Sequence, residues 1–193
     1  LEPKNVYRYN DRAWFYSEKL NNNKKALADF NKCVELNPER FLIERAKFYY
    51  GQKDFKNAKK DYNLLVDLDE NNPKSYNKRG LFLGLIGEYE KAHQDFEKSI
   101  SLDTNSGSVY YYRAKIYERQ GLSEKQKSDL EKTIQMDPKD PEGYYYLAIL
   151  YESQERYYKV ISNYKDAISC LEENSNYYVS DDNGEKIPNY KIY

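Results

Sequence analysis

A single histidine and two cysteines are the side chains in this sequence with the readiest chemistry as general base, nucleophile or metal ligand. Each of those roles needs partners converging on one point. His93 has no second imidazole to work with and stands beside Gln94; its spacing predicts an exposed surface residue. Cys33 and Cys170 belong to opposite ends of the chain. The helical arrangement derived below separates them by several helix widths of about 10 Å each, outside disulfide reach. Both fall on or near inward helix faces, which predicts small buried hydrophobes. The eight glycines never cluster into a loop that could cradle a phosphate. Asp181-Asp182-Asn183-Gly184 has the outline of a calcium loop. With Gly184 as its central glycine, however, the first ligand would be Val179 and the last Tyr190, and neither brings a carboxylate. Asp182-Asn183-Gly184 reads as a turn. No catalytic group, cofactor or metal is expected.

Charge pairs are the second candidate chemistry. Arg12, Arg45, Arg79 and Arg113 form one recurring column, and Asp29, Asp61, Asp95 and Asp129 form another. At the next recurrence both change together, to Leu147 and Asn163. Joint replacement predicts that the two columns meet. A planar guanidinium suits two parallel hydrogen bonds to a carboxylate in a partly dry site. Four structural Arg–Asp bridges are expected, fixing geometry rather than acting on a ligand.

The elements that carry these columns follow from a period of 34 residues. Ala46, Gly80, Ala114 and Ala148 recur at that spacing, as do Ala58, Ala92, Gln126 and Val160. Tyr62, Phe96, Leu130 and Tyr164 repeat it again. Within one unit, Tyr76, Gly80 and Leu83 lie on one helical face, Gly87-Glu88 interrupts, and Tyr89, Ala92, Phe96 and Ile100 make a second stripe. Each unit is thus two amphipathic helices and a turn. Neither helix buries its stripe alone, so neighbouring pairs must stack.

These residues resemble the tetratricopeptide repeat family, whose pattern has an aromatic at position 4, a small residue at 8, Tyr at 11, Ala at 20, an aromatic at 24 and Pro at 32. Residues 107–140, for example, supply Tyr110, Ala114, Tyr117, Gln126, Leu130 and Pro138. Five units read in register: 6–38, 39–72, 73–106, 107–140 and 141–174. Residues 1–5 match the end of a preceding repeat, so the sequence reads as part of a longer array. Residues 175–193 leave the pattern. For them a loop, a small hairpin or a cap over Ile161, Tyr164 and Ile168 are the alternatives, with the cap preferred. The resemblance implies an all-α right-handed superhelical solenoid of antiparallel helix pairs. Two departures carry expectations. The junction from Pro38 to Leu42 is two residues short, and Gln126 in a small-residue column predicts looser packing of its helix pair.

In this family the first helix of each repeat lines a concave groove. The matching positions are Lys47 and Tyr50; Lys78, Leu81 and Leu85; Tyr111, Tyr112, Lys115 and Arg119; and Tyr145, Tyr146 and Ile149. Tyrosine is 23 of 193 residues, enough to serve both core and surface. It offers rigid amphipathic contact area at low entropic cost. The resemblance therefore implies non-catalytic binding of a peptide segment of a partner protein. Members that clamp a chaperone C-terminal carboxylate need Lys and Asn at set groove positions. Here those positions hold Ile43, Lys47, Lys78, Ser108 and Tyr112, or, one repeat later, Asn77, Leu81, Tyr112, Glu142 and Tyr146, so that mode is not expected.

A net charge of -1, from 31 basic and 32 acidic residues, excludes a general phosphate-neutralising nucleic-acid binder. A helical-repeat RNA reader is the weaker alternative. A structural or self-associating segment of a longer array is the nearer one. No apolar run reaches the roughly 18 residues of a membrane span. Two unpaired cysteines suit a reducing compartment such as the cytoplasm, and the sequence names neither compartment nor partner.

Overall fold

Helix starts are written into the local sequence. Pro38, Pro73 and Pro141 each occupy the first turn of a helix, where a missing N–H costs nothing. Just before them, Asn37, Asn72 and Asp140 accept a hydrogen bond from the backbone N–H of Arg40, Lys74 and Glu142, at 3.1, 3.0 and 2.9 Å. Asn22 and Asp54 cap two second helices in the same way. The structure, a computed structural model, describes residues 5–173, 178–180 and 186–188. Of residues 1–5, read above as the end of a preceding repeat, 1–4 lie outside them.

Ten helices result among the described residues: α1 Val6–Glu18, α2 Asn23–Leu36, α3 Pro38–Gly51, α4 Phe55–Leu68, α5 Pro73–Leu85, α6 Tyr89–Leu102, α7 Gly107–Arg119, α8 Ser123–Met136, α9 Pro141–Ser153 and α10 Tyr157–Glu173. They pair in chain order, α1 with α2 through α9 with α10. Each intra-pair turn carries one residue in the left-handed region, at Asn21, Lys53, Gly87, Gly121 and Glu155. Glycine takes that conformation without a Cβ penalty, whereas lysine and glutamate take it at a cost of about 1 kcal/mol.

The chain divides into two units, Leu1–Leu102 and Asp103–Tyr193. In the first, small residues let helices touch: Ala13, Ala26, Ala46, Ala58 and Ala92 are fully buried. Around them Phe30 packs on Phe48 at 5.1 Å between ring centroids, and Tyr62 stacks on Phe82 at 4.8 Å. In the second unit Ala114, Leu130, Leu147, Leu150, Tyr151 and Val160 form the core, with Tyr146 and Tyr164 against it.

The short first junction is a single residue. Asn37 closes α2 through its N–H to the Cys33 carbonyl at 2.9 Å, while its side chain opens α3. Four residues do the same work between α4 and α5 and between α8 and α9.

Three expectations are corrected. Gln126 does not loosen its pair: it is buried, as are Ala114 and Leu130, and α7 and α8 pair as extensively as the other repeats. The small-residue column accommodates a buried glutamine here without opening the pair. His93 is half-buried rather than exposed, its ring 6.4 Å from that of Phe96 one turn along. Cys33 is fully buried, but Cys170 is partly exposed, because no described helix stacks on the far side of α10. Beyond α10, β1 Tyr178–Ser180 and β2 Lys186–Pro188 pair antiparallel, with Val179 opposite Ile187. The turn at Asp182-Asn183-Gly184 lies outside the described residues. Ile161 and Ile168, which the tail was expected to cap, are 56% and 53% exposed.

Candidate functional site

Position 7 of a first helix looks across its own pair at position 23 of the second, and the charged columns meet there. Arg12 Nε and Nη2 donate to the two carboxylate oxygens of Asp29, both at 2.7 Å. Arg45 reaches Asp61 at 2.8 and 2.7 Å, Arg79 reaches Asp95 at 2.8 Å twice, and Arg113 reaches Asp129 at 2.7 and 2.8 Å. All four aspartates are buried. In each pair the carboxylate hydrogen bond holds the guanidinium pKa above its usual value, against the desolvation that lowers it. Arg45 and Arg79 use their remaining Nη1 to reach Asn31 and Asn63 of the preceding repeat, at 2.8 and 3.2 Å. Such groups tie the first helix of a pair to the second through two parallel charge-assisted hydrogen bonds.

The aromatic surface of the second unit is built by α7 and α9, one turn of each facing the other. Tyr111 stands 5.3 Å from Tyr146 and 5.4 Å from Tyr112, centroid to centroid. Tyr145 meets Tyr146 edge-on at 5.3 Å and Tyr164 of α10 at 5.9 Å. Lys115 lies over two of these rings, its Nζ 5.2 Å from the centre of Tyr111 and 5.3 Å from that of Tyr146. The ammonium also donates to the Tyr111 hydroxyl at 3.4 Å. Its charge is thus held by ring faces before anything binds.

Tyr111 is the exception among the groove candidates. It is 9% exposed, so it floors the surface rather than presenting a ring to solvent. Burial, then a hydrogen bond with Tyr146, and then the charge of Glu142 push its hydroxyl far above the usual tyrosine value. Glu142, at the rim, is also raised, first by desolvation and then by Asp140, with Lys115 opposing. Tyr145 is 45% exposed and Arg119 is exposed, while Tyr112, Tyr146 and Ile149 are half-buried.

The first unit presents different chemistry. Tyr50 sits on Phe55 and Phe82 at 5.6 and 6.2 Å and keeps one edge in solvent. Lys47 is exposed and pairs with Glu44 at 2.9 Å. Leu81 and Leu85 are half-buried along α5. Lys78 lines an open cleft of about 370 Å³ between the first turns of α3 and α5, with Arg40, Lys74, Ile43 and Leu65. Arg40, Lys74, Glu142 and Tyr164 were absent from the sequence-derived groove set. Cations at position 2 of both middle repeats were the available signal for the first two. Among the described residues no group of three or more His, Cys, Asp or Glu is placed to hold a metal, and no helix is long and apolar enough to cross a membrane.

Comparison with known proteins adds to this geometry. One tetratricopeptide repeat model matches residues 6–40, 39–72, 73–106 and 107–140, and a second matches 130–161. Yeast Tom70 superposes with a TM-score of 0.74 at 22% identity, over 88% of this chain and 35% of that one. A tetratricopeptide repeat protein from Parabacteroides merdae gives 0.69 at 23% identity, over 88% and 66%. MamA from Desulfovibrio magneticus gives 0.59 at 13% identity, over 88% and 96%. At these identities the likeness shows the fold alone. No curated protein matches the sequence.

Proposed function

The chain belongs to the tetratricopeptide repeat family, and we propose that it is a non-catalytic scaffold that docks a segment of a partner protein along its first helices. The observation that carries this reading is Lys115, suspended over the rings of Tyr111 and Tyr146 beside the exposed edge of Tyr145. A surface already ordered before binding loses little side-chain entropy when a partner arrives. Tyr112, Tyr145 and Tyr146 provide ring faces and hydroxyls for an extended or helical segment, while Lys115 and Arg119 provide cations for a carboxylate or carbonyl. The test compares capture of binding partners by the wild-type chain and by a Tyr112→Ala, Tyr145→Ala, Lys115→Ala variant of equal helicity. A protein held by the first and released by the second is the expected result; equal capture by both rejects the groove.

A second reading, a structural or self-associating segment of a longer array, is favoured by two exposed apolar faces, one on α1 and one on α10. Phe48 and Phe82 occupy position 10 of their helices and are buried against the preceding pair. Phe15 holds the same place in α1 and is 53% exposed. Ile161 and Ile168 of α10 are exposed to a similar degree. Sedimentation equilibrium across a concentration series decides it: a mass that rises with concentration and falls back on Phe15→Glu supports association, and a constant monomer mass rejects it.

A further inference from the structure

The helix α10 departs from the columns of its own repeat, each time toward apolar chemistry. It runs 17 residues, whereas α4, α6 and α8 run 14. Where those three hold Lys56, Glu90 and Glu124, α10 holds Tyr158. Where they hold Lys59, His93 and Lys127, it holds Ile161. They stop before Asp69, Asp103 and Asp137, while α10 continues through Leu171. A following first helix stacks on α4 and on α8, and there Lys59 and Lys127 are half-buried. The outer face of α10 is thus more apolar than faces that accept another repeat. Tyr157 and Tyr158 are 64% and 87% exposed on it, beside the exposed Ile161 and Ile168. Tyr157, Ile161, Tyr164 and Ile168 follow at intervals of 4, 3 and 4, the spacing of a helix–helix seam. The intervals read the same from either end, while tyrosine and isoleucine exchange places.

We infer that the occupant of this face is α10 of a second copy, packed antiparallel about a two-fold axis that passes between Ile161 and Tyr164. The inference rests on the second reading above, association between copies, and assigns the contact to α10 on both sides rather than to Phe15. Self-complementarity selects the occupant, since a two-fold interface must match its own surface. In the antiparallel pair Tyr157 meets the second copy's Ile168, and Ile161 meets its Tyr164, so every ring lies against an aliphatic side chain. Tyr158 flanks the seam and lies beside the second copy's Lys165, a ring face for an ammonium. Charge points the same way. The first turn of α10 has no carboxylate and the last turn no cation, the reverse of what a helix dipole favours. Lys159 stands near the start, and Asp166 and Glu172 stand in the second half. An antiparallel copy brings the negative end of one helix to the positive start of the other. A single helix pair covers less than the roughly 1,200 Å² of a stable interface, so the dimer is weak and depends on concentration.

The test uses the whole chain in two measurements. Sedimentation equilibrium across a wide concentration range is expected to show a monomer passing into a dimer. Ile161→Glu with Ile168→Glu, checked for unchanged helicity by circular dichroism, is expected to raise the dissociation constant at least about a hundredfold, because each copy then turns two carboxylates into an apolar seam. Leu64→Glu, the same change at an exposed apolar residue of α4, and Phe15→Glu are expected to leave the dimer unaltered. The second measurement reads the geometry without disturbing the seam. A Tyr158→Cys chain and a Lys165→Cys chain, both carrying Cys170→Ser, are mixed and treated with a short bismaleimide; the fully buried Cys33 does not compete. The mixture is expected to give more covalent dimer than either chain alone. Association that survives the Ile161, Ile168 variant, or that is lost with Phe15→Glu, overturns this inference and leaves association between copies standing. A dimer whose mixed chains cross-link no better than each chain alone overturns the antiparallel pairing. A constant monomer mass at every concentration overturns both this inference and the association reading.

Discussion

The Arg45–Asp61 bridge lends itself to a quantitative test because the molecule contains its own replacement. Asp61 is 3% exposed and receives two hydrogen bonds, at 2.8 and 2.7 Å. Removing one member of such a pair leaves the other desolvated, which costs about 3–5 kcal/mol in a dry site. Arg45 keeps some solvent, with 17% of its side chain exposed, so the lower part of that range applies. Asp61→Asn is expected to cost about 2 kcal/mol. Arg45→Leu is expected to cost about 3 kcal/mol, since it orphans the carboxylate and also loses the 2.8 Å bond to Asn31. The fifth repeat has Leu147 and Asn163 at these two places. There Leu147 is 5% exposed in the core, and Asn163 donates to the Lys159 carbonyl one turn back at 2.8 Å. The double variant can adopt both solutions and is expected to cost only about 2 kcal/mol, a coupling of about 3 kcal/mol. Urea denaturation of the four proteins, followed by circular dichroism with the first unit's transition resolved, measures it. A double variant as unstable as the two single changes added together would refute the reasoning, because the bridge would then carry no pairwise energy.

Further outcomes follow from burial and charge. Phe48→Ala is expected to cost about 3–5 kcal/mol and Phe15→Ala less than about 1, although both hold position 10; urea midpoints compare them. Cys33 is fully buried, and burial pushes its thiol up to about 11. An aromatic disulfide reagent at pH 8 should therefore modify Cys170 first, with Cys33 reacting only on unfolding. Burial also pushes Tyr62 up to about 12 from the ordinary 10. A raised folded value means the contribution is complete below pH 10 and is lost as pH climbs toward 12. Tyr62→Phe should lessen the fall in urea midpoint over that window. Glu88 is held below its usual value by Lys59 and then Lys91, bonded at 2.6 and 2.8 Å. The sign is opposite: that contribution is present above the ordinary glutamate value and is lost on acidification below it. Glu88→Gln should make acid unfolding shallower.

The helix pairs were legible because their signals are local and repeated. The columns that hold Ala46 and Ala114, and Ala58 and Ala92, each recur every 34 residues, and burial of each column follows from stacking alone. What the sequence held about the Arg–Asp columns was their joint replacement at Leu147 and Asn163; the two-pronged geometry comes only from coordinates. The surface was less legible. Position 5 puts Tyr111 on the groove side of α7, yet the ring is covered by Tyr146 and Lys115, and coverage depends on which residues a neighbouring helix happens to bring. Gln126 misled for a related reason: a long amide is awkward in a small-residue column only if no room exists beside it. Arg40 and Lys74 were passed over because each is an ordinary exposed cation on its own helix. Only the approach of two first turns, 34 residues apart in sequence, gives them a shared space.

The bridges also bear on how such an array could grow. Both members of each pair lie inside one helix pair, so a duplication of 73–106 would copy Arg79 together with Asp95. The inserted copy would arrive with its internal contact already satisfied and would add one positive and one negative charge at that contact. Lengthening by whole cassettes therefore builds up no net charge from this column, and deletion of a cassette strands no partner. Of the contacts these arginines make, the outward bonds of Arg45 and Arg79 to asparagines of the preceding repeat depend on who the neighbour is. Those amides, rather than the buried carboxylates, are where a rearranged array would have to adapt.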